Sequence, residues 1–419
     1  MSSTAAYAAS GTGLEPPPTS AHDMLLRAPR GAYTAVLVCG GHLLADWEAH
    51  LQRLVVSLRG MHSLLDGFYG RNAAWAQASR RGCLGADVDP IILSISMLPT
   101  PPASLRVAHC TLTHVHPTCA PQAHGGMSGS DLQPLLLPTL RACLGGLAHV
   151  PSDARHALVL LLPPSRLQPH GFDVHAFVSL YAPLPICREA GPATAVVMGP
   201  PRKVAIAKDS GWVAARRRLE ALRPPGATEL LLASRDGRLL EGMVTNLFVV
   251  LDSAAAAAAE AEAGAGASAG PVANTAAWAD TRPADAVGYA AAGAAAHGAA
   301  GGAASSSGSS DALEIWTAGL GEGVAWGTMR ARVLCACATL GLRVRERGPG
   351  VAARRAWREA FLTNSLRGIQ PLGRIDCDER NHWGLSPWSL ELSPVPGPVT
   401  AAIAAAVVDA APLTNVLEL

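Results

Sequence analysis

Leu240-Glu241-Gly242-Met243-Val244-Thr245-Asn246-Leu247-Phe248 puts a glutamate at a strand-turn-strand junction, and Glu241 lies 33 residues after Lys208. Lys208 itself sits in Ala207-Lys208-Asp209-Ser210, and only two of the 33 Lys and Arg residues are lysines, Lys203 and Lys208. An Ala-, Gly-, Arg- and Pro-rich chain suits a GC-rich genome, in which Arg replaces Lys wherever a bare positive charge suffices. A lysine that survives is a candidate for chemistry that Arg cannot perform, since only a deprotonatable amine forms an imine or acts as a base. Farther along, Gly323-Val324-Ala325-Trp326-Gly327-Thr328-Met329-Arg330 reads as a glycine leading into a helix, whose first amides suit a phosphate.

Working outward, 419 residues at 49% hydrophobic composition can bury a large core, and the low-complexity stretches reduce the expected domain count to two. Lys+Arg is 33 against Asp+Glu 32, with 16% charged residues, so the sequence carries no electrostatic footprint for nucleic acid or an anionic membrane. Nine scattered cysteines form no CxxC pair, which suggests a reducing compartment. No apolar run approaches the roughly 18 residues of a spanning helix. A cytoplasmic location is expected, with an organelle (plastid or mitochondrion) as the alternative, because the Ser/Ala/Pro-rich start only loosely resembles a transit peptide.

Along the chain, residues 1–29 are expected to be disordered and 30–190 to form an N-terminal α/β domain. In that domain 32–38 reads as a strand, Gly40-Gly41 as a turn and 47–61 as an amphipathic helix burying Leu51, Leu54, Val55 and Leu58. Strand-like runs follow at 91–98 and 105–115, then a polar stretch at 116–130, a helix over about 132–147, and strands near Leu158 and Phe177. Residues 191–202, with Gly199-Pro200-Pro201, read as an interdomain linker. A second domain spans 203–408, interrupted by an Ala/Gly/Ser-rich insertion at 253–310 that cannot bury enough large side chains to offset its conformational entropy; 409–419 is a tail. Strands at 229–233 and 246–251 are expected to form a hairpin around Arg235-Asp236-Gly237, and Ile315-Trp316 to resume the sheet. The helix opened by Gly327 should bury Met329, Val333, Leu334, Cys337 and Leu340 and close at Gly341.

The three opening stretches have the residue types and order that a phosphorylated aldehyde cofactor requires. Together they resemble the class IV aminotransferases, the fold-type IV family that uses pyridoxal 5′-phosphate and includes branched-chain aminotransferases, D-amino acid transaminases and aminodeoxychorismate lyases. Ala49-His50-Leu51-Gln52-Arg53-Leu54 resembles that family's early His-Leu-x-Arg-Leu helix. The stretch Phe361-Leu362-Thr363-Asn364-Ser365-Leu366-Arg367-Gly368 resembles its late hydroxyl-bearing segment, and Gly397-Pro398-Val399-Thr400 its Gly-Pro-Val-Thr before a C-terminal helix. The resemblance covers about residues 30–408 apart from the insertion and part of the first domain.

It implies a two-domain α/β fold with a small N-terminal α/β domain and a larger C-terminal sheet or barrel-like domain with flanking helices. By the same resemblance Lys208 would hold the cofactor aldehyde and shuttle the substrate proton, and Glu241 would keep the ring nitrogen protonated, with Asn246 supporting it. Arg53, the amides at Gly327, Thr328 and Met329, and Ser365 (Thr363 as alternate) would share the phosphate. A small amino acid or amino-substituted carboxylate and a keto acid are the implied substrates, and a homodimer the implied assembly. A lyase outcome, or a cofactor-binding homologue that serves as an interaction module without turnover, are the alternatives.

The departures bear on that choice. Where the family has a tyrosine shortly after the lysine, this chain has Trp212 and Val213, and an indole does not replace a phenol geometrically. The usual Gly-Ile-Thr-Arg appears as Gly327-Thr328-Met329-Arg330, and Thr317-Ala318-Gly319 stands for a Thr-Pro-Pro-like segment. Lys203 reads as a solvated bystander. Arg216-Arg217-Arg218 reads as the solvated face of a helix. His109, Cys110, His114, His116 and Cys119 fit no standard zinc spacing, so no metal site is expected.

Overall fold

The computed structural model describes residues 5–11, 13–65, 68–69, 127–145, 147, 151, 153–181, 192–266, 313–408, 412–416 and 418–419. The strands expected at 91–98 and 105–115, the His/Cys run and most of the Ala/Gly/Ser segment lie outside them.

The first sheet is built from β1 (Ala5–Ala9), β2 (Ala32–Cys39), β3 (Leu43–Ala45), β4 (Arg155–Leu162) and β5 (His175–Leu180). The positive-φ glycines Gly40 and Gly41 turn β2 back onto β3. Alternation along β4 decides what lies on each face: Leu158, Leu160 and Leu162 join one core and Val159 and Leu161 another. The first core is capped by α2 (Trp47–Leu64), which buries Leu51, Leu54, Val55, Leu58 and Met61 at helical spacing, and by α3 (Gly129–Gly145) through Leu132, Leu136 and Leu140. The second core receives Met24 from α1 (Ala21–Arg27).

The second sheet comprises β6 (Ala193–Gly199), β7 (Glu229–Ala233), β8 (Leu239–Gly242), β9 (Asn246–Asp252), β10 (Leu313–Thr317), β11 (Val344–Glu346), β12 (Trp357–Asn364), β13 (Gly368–Cys377) and β14 (Trp388–Glu391). The order β9-β12-β13-β6-β7-β8 closes on itself where Glu241 pairs with Asn246, giving a barrel-like sheet. Because β9 is buried on both faces, it reads as one apolar run: Leu247, Val249 and Leu251 enter one core, Phe248 and Val250 the other. That second core lies under α7 (Thr328–Thr339) and α8 (Pro398–Val408), reached after α4 (Gly211–Ala215), α5 (Arg217–Ala221) and α6 (Ser253–Gly266). Glu359 closes the start of α8 by accepting the amides of Val399 (3.0 Å) and Thr400 (2.7 Å).

Several expectations change. Residues 193–199 are not linker but a buried strand, parallel to both β13 and β7. The turn at Arg235-Asp236-Gly237 joins β7 to β8, an extra strand between the two expected to form the hairpin. Residues 1–29 are not wholly unstructured, since β1 pairs with β5 and α1 packs on the sheet. The tail contributes β15 (Leu413–Asn415), which pairs with β3. The insertion begins as an ordered helix: Ala256 of α6 is buried, and Glu260 pairs with Arg238 (2.9 Å) and Arg347 (3.2 Å). As expected, β9 and β10 on its two sides are antiparallel neighbours. Leu340, expected buried, is 42% exposed because it lies beyond the last turn of α7, which ends at the positive-φ Gly341. No helix among the described residues is long and apolar enough to cross a membrane.

Candidate active site

One cleft is lined by residues of both sheets and their helices: Tyr33 of β2 and Arg53 of α2, Lys208 in the turn after β6, and Glu241 of β8, Thr328 of α7 and Thr363 of β12. The other residues singled out in the sequence, Asn246, Gly327, Met329 and Ser365, also line it. Lys203 is exposed and does not.

The Lys208 turn is stitched to the start of β2. Tyr33 N–H donates to the Lys208 carbonyl (2.8 Å), Ser210 N–H to the Gly31 carbonyl (2.9 Å), and Arg30 pairs with Asp209. From the helix side, Ser57 Oγ accepts the Lys208 amide (2.9 Å) while donating to the Arg53 carbonyl (2.7 Å). The lysine backbone is thereby tied to the turn of α2 that carries Arg53. Its amine stands 5.2 Å from the Tyr33 ring centroid. Burial, reinforced by the charges of Arg53, Arg202 and Arg216, holds the Lys208 amine well below the usual lysine range, and Glu241 opposes this only in part.

Glu241, on β8, is buried with both carboxylate oxygens engaged. Oε1 accepts from Arg202 Nε (2.7 Å) and Nη2 (2.6 Å), and Oε2 accepts the Ala325 amide (3.0 Å). Burial raises its pKa above the ordinary glutamate range, and Arg202, the Ala325 amide and Lys208 offset this only in part. Asn246 acts at one remove, donating to the Ala325 carbonyl (3.2 Å), and it packs so closely on Gly327 that any side chain there would collide with its Oδ1. The turn between β8 and β9 is held by Glu229, which accepts from the Met243 amide (3.2 Å) and the Thr245 hydroxyl (3.1 Å). A Cβ at Gly242 would strike that hydroxyl, which accounts for the glycine after Glu241.

The groups expected to meet a phosphate differ. Arg53 is buried in α2, with Nη2 near Thr34 Oγ1 and 2.9 Å from His50 Nδ1, and burial pushes its pKa down to about 10. His50, buried beside this cation, is held well below the ordinary histidine range and accepts as a neutral ring. Arg53 Nε, Thr328 Oγ1 and Thr363 Oγ1 are buried without a hydrogen-bond partner. Thr328 is the first residue of α7, so its amide is among the free donors of that helix end. Ser365 Oγ, by contrast, donates to the Ala35 carbonyl (2.9 Å). Of the two hydroxyls expected to serve an anion, Ser365's is therefore committed to the backbone and Thr363's is not.

Three groups escaped the sequence reading. Arg202 is one arginine among many, and only its contact with Glu241 distinguishes it. Tyr33 read as an ordinary strand residue, although a tyrosine beside the lysine was what the sequence lacked downstream. Ser57 lies on the buried face of α2, where a lone hydroxyl among Leu54, Val55 and Leu58 was the available signal. Trp212, noted as a departure, lines the cleft and donates its indole N–H to the Met243 carbonyl (2.8 Å).

The buried groups without partners suit a phosphate, the amine of lowered pKa suits an aldehyde, and the Glu241 carboxylate suits a ring nitrogen, so the residues present fit pyridoxal 5′-phosphate. No protein-family model and no curated protein matches this sequence. Solved structures do. A hypothetical aminotransferase from Mycobacterium tuberculosis in its PLP-bound form aligns at 16% identity over 97% of this chain and 98% of its own, with a TM-score of 0.50. A putative branched-chain amino acid aminotransferase from Thermotoga maritima aligns at 14% identity over 99% and 97%, with a TM-score of 0.49. A branched-chain aminotransferase from Thermoproteus uzoniensis, solved with norvaline, aligns at 15% identity over 98% and 99%, also at 0.49. At these identities the likeness is one of architecture, and the chain has the fold of the fold-type IV aminotransferases.

Proposed function

We propose that this protein is a pyridoxal 5′-phosphate-dependent aminotransferase of the class IV type, moving the amino group of a small amino acid to a keto acid at Lys208. The observation that carries the reading is the pairing, in one cleft, of a lysine whose amine is held well below its usual range with three buried polar groups left without partners. The PLP-bound state of the Mycobacterium tuberculosis protein of similar fold supports it.

Arg53, Thr328 and Thr363 would hold the phosphate, with the amides at the start of α7, and Glu241 would face the ring nitrogen. When bound, the cofactor supplies an aldehyde that captures amines and a ring that withdraws electrons from the adjoining carbon. Lys208 supplies the rest. With its pKa lowered by burial and by the neighbouring arginines, its amine loses its proton more readily than an ordinary lysine, and so can attack the aldehyde carbon and can take a proton from a substrate carbon and return it. Tyr33, on the amine's flank, and Trp212 narrow the space left for substrate.

Borohydride reduction of the loaded protein followed by peptide mass spectrometry should place one cofactor on Lys208. Adduct on Lys203, or none, would refute the assignment. The same sample, mixed with a panel of L- and D-amino acids and then keto acids, should exchange amino groups; release of pyruvate from aminodeoxychorismate without that exchange would establish the lyase instead.

A further inference from the structure

We propose that Arg202 is a positioning residue that decides where one proton resides: by holding Glu241 ionised, it leaves the proton shared by Glu241 and a facing ring nitrogen on the ring. The inference rests on the cofactor reading above.

Arg202 is fixed from three sides. Its Nε and Nη2 converge on the single oxygen Glu241 Oε1, Nη2 also reaches the Ala205 carbonyl (3.2 Å), and its Cζ lies 5.7 Å from the Trp212 ring centroid. The side chains of Arg202 and Glu241 are only 6% and 3% exposed, so solvent screens the pair little. Trp212 is itself pinned through the Met243 carbonyl, in the turn that follows Glu241.

The placement follows from distance. A cation against Oε1 stabilises the carboxylate more than it would oppose a positive ring held farther from it, since Coulomb energy falls with separation. Of the two ways to place one proton, ionised carboxylate with protonated ring is therefore preferred over neutral carboxyl with bare ring. Lys208 is the other titratable group facing Glu241 and draws its pKa down in the same sense as Arg202, but it makes no hydrogen bond to the carboxylate and its own charge is opposed by burial; Arg53 and Arg216 act on Lys208 rather than on the glutamate. Without Arg202, burial favours the neutral carboxyl, and the same proton moves from the ring nitrogen to Glu241. No other reactant is consumed.

The test uses the full-length protein loaded with pyridoxal 5′-phosphate labelled with ¹⁵N at the ring nitrogen, reading ¹⁵N and ³¹P resonances of each sample. The wild type should show a protonated ring at neutral pH. Arg202→Gln should show a shift toward the unprotonated position with the ³¹P signal still that of bound cofactor. Arg202→His, a second route should the Gln variant not fold, keeps a cation only in acid, so its ¹⁵N shift should move with pH where the wild type's is flat. A wild-type shift in Arg202→Gln, or a flat profile in Arg202→His, overturns the proposal while leaving the cofactor reading intact. A wild-type protein that takes up no cofactor, seen in the ³¹P spectrum, overturns both.

Discussion

The cleft holds two sets of polar groups, a closed end around Glu241 and an open end around Arg53, and they are oppositely satisfied. At one end Glu241, Arg202, Ala325 and Asn246 form a connected set in which each carboxylate oxygen has a donor. Around the other, Arg53 Nε is buried with nothing to bond, as are Thr328 Oγ1 and Thr363 Oγ1 on the helix and strand that complete the cleft. A buried polar group without a partner costs about 1–3 kcal/mol, and a buried unpaired charge costs more. The open end is therefore where the fold is held in a costly state that an acceptor-rich anion relieves. The closed end is part of the scaffold before any ligand arrives.

The sharpest way to break this contrast is to remove the arginine from each end and melt the unliganded protein. Arg202→Gln strands a buried carboxylate and should cost about 3 kcal/mol. Arg53→Met removes a cation that has no carboxylate in contact, keeps much of the packing of its stem, and should leave the Tm no lower than the wild type's. The order inverts on titration with pyridoxal 5′-phosphate, where Arg53→Met should bind about 10- to 100-fold more weakly, as expected for losing a charge-assisted hydrogen bond to phosphate. Equal losses of Tm in the two variants would show that the ends do not differ as described.

The contrast also explains what the sequence could convey. Lys208 was legible because lysine is so rare here, and Glu241 because its carboxylate interrupts an apolar pattern at a glycine. Arg202 was not, since its role exists only once the turn before Lys208 lies across β8, a contact spanning 39 residues. Hydroxyls posed the same problem. Ser365 and Thr363 are two apart with the same group to offer, and only the position of the Ala35 carbonyl, 330 residues from Ser365, tells them apart. In the fold, the β6 strand was read as linker because Gly and Pro flank a short apolar run, a pattern that periodicity alone does not separate from other buried segments. The Ala-rich β1 carries little strand signal and is ordered by its partner β5.

A smaller effect comes from Lys208, between the two ends. Its amine is held below the lysine range by burial and by Arg53, Arg202 and Arg216, with Glu241 opposing. The unfolded chain's lysine titrates near a pKa of about 10.4. Between the folded-state value and that one, the unfolded chain binds the extra proton, so stability rises with pH across this window and is constant in this term below it. Denaturant midpoints measured from neutral to alkaline pH should show the rise in the wild type and a flatter profile in Lys208→Met. Identical profiles would mean that the amine is charged in the folded protein, and the nucleophile assignment would fall with it.

The finest test compares the two neighbouring hydroxyls. Thr363→Val deletes an unpaired buried hydroxyl at nearly constant volume, so the unliganded protein should be as stable as the wild type or up to about 1 kcal/mol more so. Ser365→Ala removes the donor to the Ala35 carbonyl and should cost about 1 kcal/mol. Cofactor affinity should respond the other way, falling several-fold in Thr363→Val and little in Ser365→Ala, because a hydroxyl already committed to a carbonyl has no proton left for a phosphate oxygen. Should Ser365→Ala instead lose the affinity and Thr363→Val keep it, the serine must turn away from Ala35 when the anion binds. The open end would then be assembled by the ligand rather than waiting for it.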